Sequence, residues 1–164
     1  MNYLYIYIGE IPEYIKTSIN SVLSVDNNSK VFFCSEANPR FKNVEYINLN
    51  EIKSELTERF SDLNIYSDTA YDRKNNNLWI SSLLRIFYIN DFLESTNEKE
   101  VVHFDSDVII YKPFSQLDNN FSQEQLNITE LNNDKLIFGY SYIPKYKVIN
   151  DICEKIFSFV DSKD

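Results

Sequence analysis

Short apolar runs with strand-like composition alternate in this sequence with segments whose apolar residues repeat at helical spacing. The first run, residues 3–8, reads Tyr-Leu-Tyr-Ile-Tyr-Ile and stops at Gly9. Pro12 and a stripe of apolar residues at helical spacing follow it, which predicts a strand followed by a helix. Such alternation is typical of α/β proteins, in which helices cover both faces of a mostly parallel sheet.

The alternation continues along the rest of the chain. Strands or extended apolar runs are predicted at residues 30–35, 44–49, 100–104, 108–111 and 135–142, and helices at residues 51–63, 78–95 and 146–160. Residues 64–77 are polar and end in three Asn, so we expect a loop there, and residues 115–134 form a polar insert. Because no internal repeat or linker divides the pattern, residues 1–164 are expected to form a single domain.

The charge of the chain limits its partners. The formal net charge at pH 7 is −9, and the sequence contains no run of basic residues. Nucleic acids and anionic membrane surfaces are bound by clustered Lys and Arg, so neither is expected as a partner. A phosphorylated ligand is still compatible with an acidic protein if a metal ion or a few well-placed donor groups supply local positive charge.

The cysteines and the hydropathy of the sequence indicate where in the cell the protein is expected. Cys34 and Cys153 are far apart, and neither belongs to a Cys-x-x-Cys pair, so both are expected to be reduced and buried. The apolar run at residues 3–8 is too short for a signal peptide or a membrane span and has no basic flank. These features predict a cytoplasmic protein without a membrane span.

An acidic triplet, Asp105-Ser106-Asp107, interrupts the apolar runs at residues 101–104 and 108–111. Two carboxylates separated by one residue repel each other unless a cation or a proton relieves the repulsion. Mg²⁺ and Mn²⁺ are bound by one or two carboxylates together with phosphate oxygens of a substrate. A solvated turn at the end of a strand is the alternative, but surface turns rarely lie between two such runs. The context therefore argues against a simple surface turn at Asp105 and Asp107.

Arg85 lies in the longest predicted helix. A helical wheel gives it a mostly apolar face, whereas Asn90, Asp91 and Glu94 lie on the opposite side, which is expected to face solvent. A half-buried guanidinium needs an anionic partner. That partner is expected to be either a substrate phosphate or a structural carboxylate such as Asp105.

His103 is the only histidine in the chain. The alternation of side chains along a strand gives it the same face as Asp105. It could be a metal ligand, but a core histidine that is hydrogen-bonded to the backbone or to a carboxylate is the better interpretation.

Residues 78–117 resemble the donor-binding segment of GT-A glycosyltransferases, in which a helix that carries an Arg precedes a strand ending in Asp-x-Asp and a further apolar run. The matching pieces are residues 79–88, Trp-Ile-Ser-Ser-Leu-Leu-Arg-Ile-Phe-Tyr, and residues 100–111, Glu-Val-Val-His-Phe-Asp-Ser-Asp-Val-Ile-Ile-Tyr. Residues 3–24 are similar to the start of such domains, more loosely. The resemblance implies a Rossmann-like GT-A fold with a mostly parallel central sheet. It also implies transfer of a sugar from a nucleoside-diphosphate sugar, with uridine favoured, to a hydroxyl of a glycan, protein or small molecule.

The resemblance implies roles for individual residues. Asp105 and Asp107 would hold Mn²⁺ or Mg²⁺ against the donor diphosphate, or Asp105 would bond to the ribose. The residues implied to contact the donor are Arg85, Asp105, Ser106, Tyr7, Ile8 and Gly9. Tyr14 is better interpreted as packing than as stacking on the base, since the chain has 12 tyrosines. No catalytic base or nucleophile is identified.

Two other functions are compatible with the sequence. Phosphatases and phosphotransferases of the haloacid dehalogenase type also use Asp-x-Asp after a strand. They carry it on the first strand of the core and have Thr or Val two residues after the second Asp, where this chain has Ile109. A non-catalytic or degenerate domain that binds a nucleotide sugar is the other alternative. The resemblance also implies that such enzymes continue beyond this pattern. The chain is therefore expected to be the N-terminal part of a longer enzyme, an unusually small enzyme, or such a binding module.

Overall fold

The computed structural model describes residues 1–62, 77–132 and 135–161. The elements in chain order are β1 (Asn2–Ile6), α1 (Tyr14–Val25), β2 (Lys30–Ser35), β3 (Glu45–Asn48), α2 (Leu49–Ile52), α3 (Glu55–Asp62), α4 (Asn77–Thr96), β4 (Val101–Phe104), β5 (Asn127–Asn132), β6 (Lys135–Ile143) and α5 (Tyr146–Asp161). Two 3-10 turns, Phe114–Gln116 and Asp118–Asn120, lie between β4 and β5. The predicted alternation of strands and helices is thus present.

The six strands form one sheet in the order β3-β2-β1-β4-β6-β5. The first four strands of this order are parallel to one another, whereas β6 is antiparallel to both β4 and β5. Helices cover both faces, because a strand that pairs in parallel with its neighbour needs a crossover connection. The predicted α/β fold with a mostly parallel central sheet is confirmed.

Alternating side chains of β1 contribute to two cores. Leu4 and Ile6 face α4 and α5, and Tyr3 and Tyr5 face α1 on the other side of the sheet. The first core also contains Phe32, Phe60, Phe87, Phe92, Ile149 and Phe157. The second contains Ile15, Ile19, Val22, Phe33, Phe104 and Phe114. Fully burying an aliphatic or aromatic side chain contributes roughly 1.5–3 kcal/mol, so these two layers dominate the stability of the sheet.

Several predicted boundaries are wrong. The helix expected at residues 51–63 is divided into α2 and α3, because Ser54 caps α3 and accepts a hydrogen bond from the Thr57 N–H at 3.2 Å. The extended apolar run at residues 108–111 does not pair with the sheet. The polar insert contains β5, an edge strand whose side chains are half-buried or exposed and therefore lack an apolar signal. The loop expected at residues 64–77 falls almost entirely outside the described residues.

The solvated face predicted for α4 is also wrong in part. Asn90 and Asp91 are 3% and 1% exposed, and only Glu94 of the three polar residues is exposed. The reason is that α4 packs against the sheet on one side and against α2, α3 and α5 on the others. Asp91 accepts a hydrogen bond from the Ser54 N–H at 3.2 Å, so this buried carboxylate helps to hold the start of α3.

The two cysteines behave as expected for reduced core residues. Cys34 on β2 and Cys153 on α5 are buried and unpaired. Burial raises the pKa of the Cys34 thiol, and it raises the pKa of Cys153 to about 12, so both remain protonated at neutral pH. Among the described helices, none has the length and apolar character needed to cross a bilayer.

Candidate active site at the ends of β1 and β4

The acidic triplet forms a turn at the end of β4. The Asp105 N–H donates to the carbonyl of Gly139 on β6 at 3.0 Å, which extends the pairing of the two strands by one residue. The Val108 N–H donates to the Asp105 carbonyl at 3.0 Å and closes the turn. Residues 105–108 are called the acidic turn below. Ser106 is buried within it, whereas Asp107 is exposed at its tip.

A cavity of about 380 Å³ lies beside the acidic turn. Its lining comes from the end of β1, the start of α1, α4 and the acidic turn: Ile6, Tyr7, Ile8, Tyr14, Ser81, Ser82, Arg85, Asp105, Ser106 and Asp107. β1 and β4 are neighbours in the sheet, but the chain continues from β1 to β2 on one side and from β4 to β5, beyond β6, on the other. Ligands of open α/β sheets bind at such a point, beyond the carboxyl ends of the strands.

Arg85 forms an ion pair with Asp105. One guanidinium nitrogen contacts Asp105 Oδ1, and the second lies 3.5 Å from the hydroxyl of Ser82. The side chains are 18% and 36% exposed, so the pair is only partly screened by water. The structural carboxylate is one of the two partners expected for Arg85.

His103 is fully buried on β4. Its Nδ1 lies 3.0 Å from the Leu4 carbonyl, which can only accept, so Nδ1 carries the proton. Burial and the nearby Arg85 cation lower the pKa of His103 to about 4, and the imidazole is neutral at pH 7. These contacts match the core interpretation. Nε2 has no hydrogen-bond partner among the described residues.

The residues predicted at the end of β1 divide between two cavities. Tyr7 and Ile8 line the cavity beside the acidic turn. Gly9 has a φ of +104°, a conformation that glycine adopts at little cost, and it lines a separate cavity of about 810 Å³ beside the start of α1. Tyr14 is 49% exposed and lines the first cavity, where burial, Tyr7 and the acidic turn raise its pKa.

The segment after the acidic turn is anchored by hydroxyl groups. Ser18 on α1 donates to the Val108 carbonyl, and its oxygen shares a 3.0 Å hydrogen bond with the Tyr5 hydroxyl. The Ile110 N–H donates to Ser21 at 2.9 Å, and the Phe114 N–H donates to Tyr3 at 2.8 Å. These bonds explain why the apolar run leaves the sheet, since its backbone groups pair with side chains of other elements.

Three residues at the site were not among those predicted from the sequence. Ser81 and Ser82 line the cavity one helical turn before Arg85, and that spacing is a signal that could have identified them. Gly139 lies directly against Asp105, although the two residues are distant in sequence. A glycine within a predicted strand signals a close approach of backbones or side chains, but not the residue that approaches.

The acidic turn satisfies only part of a metal site. Within residues 1–62, 77–132 and 135–161, no group of three His, Cys, Asp or Glu side chains is arranged to hold a metal ion. Asp105 and Asp107 offer hard carboxylate oxygens in the lining of one cavity. These oxygens are of the type that Mg²⁺ and Mn²⁺ prefer, but a metal held here would need further ligands from water or from a bound phosphate group.

No family model and no curated protein matches the sequence. Solved structures nevertheless share its fold. The apo form of mouse xyloside xylosyltransferase 1 superposes with a TM-score of 0.62 at 10% identity, over 99% of this chain and 74% of that enzyme. The galactosyltransferase LgtC, in complex with donor and acceptor sugar analogues, superposes with a TM-score of 0.57 at 13% identity, over 98% of this chain. The chain spans 66% of the length of LgtC. The sheet order, the covering helices and these superpositions together show that the chain has the GT-A fold of glycosyltransferases.

Proposed function

We propose that this chain is the donor-binding domain of a metal-dependent glycosyltransferase. It would bind a uridine-diphosphate sugar in the cavity beside the acidic turn and transfer the sugar to a hydroxyl of a glycan, protein or small molecule. The observation that carries the proposal is the convergence of Asp105, Asp107 and Arg85 at the ends of β1 and β4. The shared fold with LgtC, whose structure holds donor and acceptor sugar analogues, supports it.

The charges around the cavity support the need for a metal ion. Arg85 is the cationic residue of the described lining, and Asp105 already balances its charge. Asp107 adds a negative charge at the tip of the turn. A diphosphate that approached these groups alone would be repelled. Mn²⁺ or Mg²⁺ bound by Asp107 and Asp105 would relieve this repulsion and act as a Lewis acid for the departing diphosphate.

The residues of the chain would act mainly by binding and orientation. Asp107 is exposed and free to turn towards a metal, whereas Asp105 is fixed by Arg85 and by its backbone bond to β6. Tyr7, Ile8 and Ser106 would border the nucleotide. In the reaction, the acceptor oxygen forms a bond to the anomeric carbon, and the bond from that carbon to the diphosphate oxygen breaks, leaving its electron pair on the diphosphate. The proton of the acceptor hydroxyl passes to a base or to the departing diphosphate, and none of the residues named above is assigned the role of that base. Placing the reactants is itself a large contribution to such a transfer.

Calorimetry of uridine diphosphate with Mn²⁺ tests the proposal. The protein should bind the nucleotide only with the metal present. Asp107→Ala should weaken this binding at least about tenfold, as expected when a charged ligand group is lost. Its fold should be unchanged, because the side chain is exposed. Asp151→Asn, an exposed carboxylate on α5, is the matched control and should bind normally.

Two outcomes would favour another function. Hydrolysis of p-nitrophenyl phosphate that disappears in Asp105→Asn would indicate a phosphatase with Asp105 as nucleophile. Metal-dependent binding without release of sugar from any donor or transfer to any acceptor would indicate a binding module. Unchanged metal-dependent affinity in Asp107→Ala would remove the central residue of the proposal.

A further inference from the structure

Gly139 lies against the carboxylate of Asp105. A methyl group built on its Cα would be 2.7 Å from Asp105 Oδ2 and 3.4 Å from the carboxyl carbon. It would also be 3.1 Å from a methyl group of Ile137, whose side chain is 38% exposed and can shift. A carbon that close to a carboxylate oxygen is a steric clash, so only glycine leaves Asp105 in its observed position.

The requirement at Gly139 is for space, not for an unusual backbone conformation. Gly9, the other glycine, is the one with a positive φ, and a methyl group there would meet no atom within 4 Å. Gly139 instead lies in the extended backbone of β6 and accepts the Asp105 N–H at 3.0 Å. The two glycines are therefore needed for different physical reasons.

We propose that Gly139 is a positioning residue for the acidic turn. The space that it leaves on β6 receives one oxygen of the Asp105 carboxylate, and from there the other oxygen reaches Arg85. Three features fix this carboxylate before any ligand binds. They are the backbone hydrogen bond to β6, the ion pair with Arg85 on α4 and the space left by the absence of a side chain at Gly139. The inference that this geometry serves donor binding rests on the proposed function. The steric relationship between Gly139 and Asp105 holds independently of that function.

A cycle of thermal unfolding measurements tests the steric relationship. Gly139→Ala should lower the Tm of the protein, because the new methyl group displaces the carboxylate and weakens its bond to Arg85. In the Asp105→Ala background both Asp105 atoms near this methyl group are absent, so the same change should cost much less. In the Ile137→Ala background, where Asp105 is intact, the cost should remain large.

Gly9→Ala is the matched control for the cycle. Its cost comes from the positive φ alone, so it should be the same with Asp105 and with Asp105→Ala. Equal losses of Tm for Gly139→Ala in the two Asp105 backgrounds would overturn the proposal. So would a loss that disappears in the Ile137→Ala background.

The second measurement is the affinity for uridine diphosphate with Mn²⁺, at a temperature where circular dichroism shows each variant folded. Gly139→Ala should bind at least about tenfold more weakly than the wild type. Ile149→Val, which reduces the buried core at α5, should lower the Tm but keep the affinity. If Gly139→Ala retains normal affinity, its role in positioning is excluded. If the wild type binds no nucleotide, the proposed function fails while the unfolding cycle still decides the steric relationship.

Discussion

Arg85 on α4 and Asp105 at the end of β4 form an ion pair in the lining of the candidate site. Arg85 also approaches the Ser82 hydroxyl, and the Asp105 backbone pairs with β6. The carboxylate that would meet the donor is thus held by contacts within the protein itself. A group oriented in this way loses little entropy when a ligand binds.

Exchange of Arg85 for lysine measures the strength of this contact. Lys carries a single point charge and cannot reproduce the planar fork that reaches both Asp105 and Ser82. We expect Arg85→Lys to destabilise the protein by about 1 kcal/mol without any ligand. For a chain of this size that lowers the Tm by roughly 2–4 °C. Calorimetric unfolding measures the change.

The control for Arg85 is Arg40→Lys, the same exchange on an exposed loop, which should leave the Tm unchanged. The affinity for the nucleotide is a second measurement on the same variant. If Arg85→Lys keeps the Tm of the wild type but weakens binding of uridine diphosphate, Arg85 acts on the ligand and not on Asp105. A change in neither quantity would mean that the ion pair contributes nothing measurable.

The hydroxyl of Ser18 supports the far side of the acidic turn. It donates to the Val108 carbonyl and is bonded to the Tyr5 hydroxyl in the buried layer beneath α1. Ser18→Ala leaves both partners unsatisfied, which costs about 1–3 kcal/mol. We expect a lower Tm together with weaker Mn²⁺-dependent nucleotide binding, because the turn loses one of its anchors. Differential scanning calorimetry and titration calorimetry measure the two effects.

Ser24→Ala is the matched control on the same helix. Its hydroxyl is exposed and donates only to the Ser21 carbonyl one turn earlier, so its loss should change the stability by less than about 0.5 kcal/mol. If Ser18→Ala and Ser24→Ala unfold at the same temperature, the bond to Val108 does not anchor the turn.

The class of ligand can be distinguished by thermal shift. A ligand that binds only the folded protein adds about 2.7 kcal/mol of stability at a concentration one hundred times its Kd. A uridine-diphosphate sugar with Mn²⁺ should therefore raise the Tm, and a chelator should abolish the rise. Simple phosphomonoesters with Mn²⁺ should give no shift, since they lack the base and the second phosphate. A shift produced equally by phosphomonoesters would argue against a nucleotide site.

The fold was accessible from the sequence where the pattern was strong. The run at residues 3–8 and the stripe of α1 are local patterns of apolar residues, and the acidic triplet is a local motif. All three can be recognised without knowing which segments lie beside them. Their order implied a parallel sheet, and a parallel sheet determines which edge carries the site. The contact between Arg85 and Asp105 could thus be anticipated, since Asp105 was one of the two partners expected for Arg85.

The features that sequence reasoning missed depend on contacts between distant segments. The helical wheel predicts that Asn90 and Asp91 face solvent because they lie opposite the main apolar stripe of α4. α3 and α5 cover the rest of that helix. β5 has no apolar alternation, since it is an edge strand. The contact of Gly139 with Asp105 follows from strand register, which no local pattern contains.

The buried carboxylate of Asp91 should make the stability of the protein depend on pH. In an unfolded chain this carboxyl titrates near 3.8, and burial raises its pKa in the folded protein. Between the two values the folded state binds more protons than the unfolded state. The stability contributed by this group is therefore complete below pH 3.8 and is lost as the pH rises through the folded pKa.

Asp91→Asn separates this buried charge from the hydrogen bond that Asp91 makes. The amide oxygen of the new side chain can still accept the Ser54 N–H, whereas the charge is removed. We expect the Asp91→Asn variant to be at least as stable as the wild type at pH 7. The difference in free energy of unfolding should shrink as the pH falls towards 3.8, where Asp91 is itself neutral. Asp91→Ala also loses the acceptor, so it should be less stable than Asp91→Asn by about 1–3 kcal/mol at every pH.

Urea unfolding between pH 4 and pH 7 measures these differences, with Asp151→Asn as the exposed control. A difference between Asp91→Asn and the wild type that does not vary with pH would show that the carboxyl is not titrating in this window.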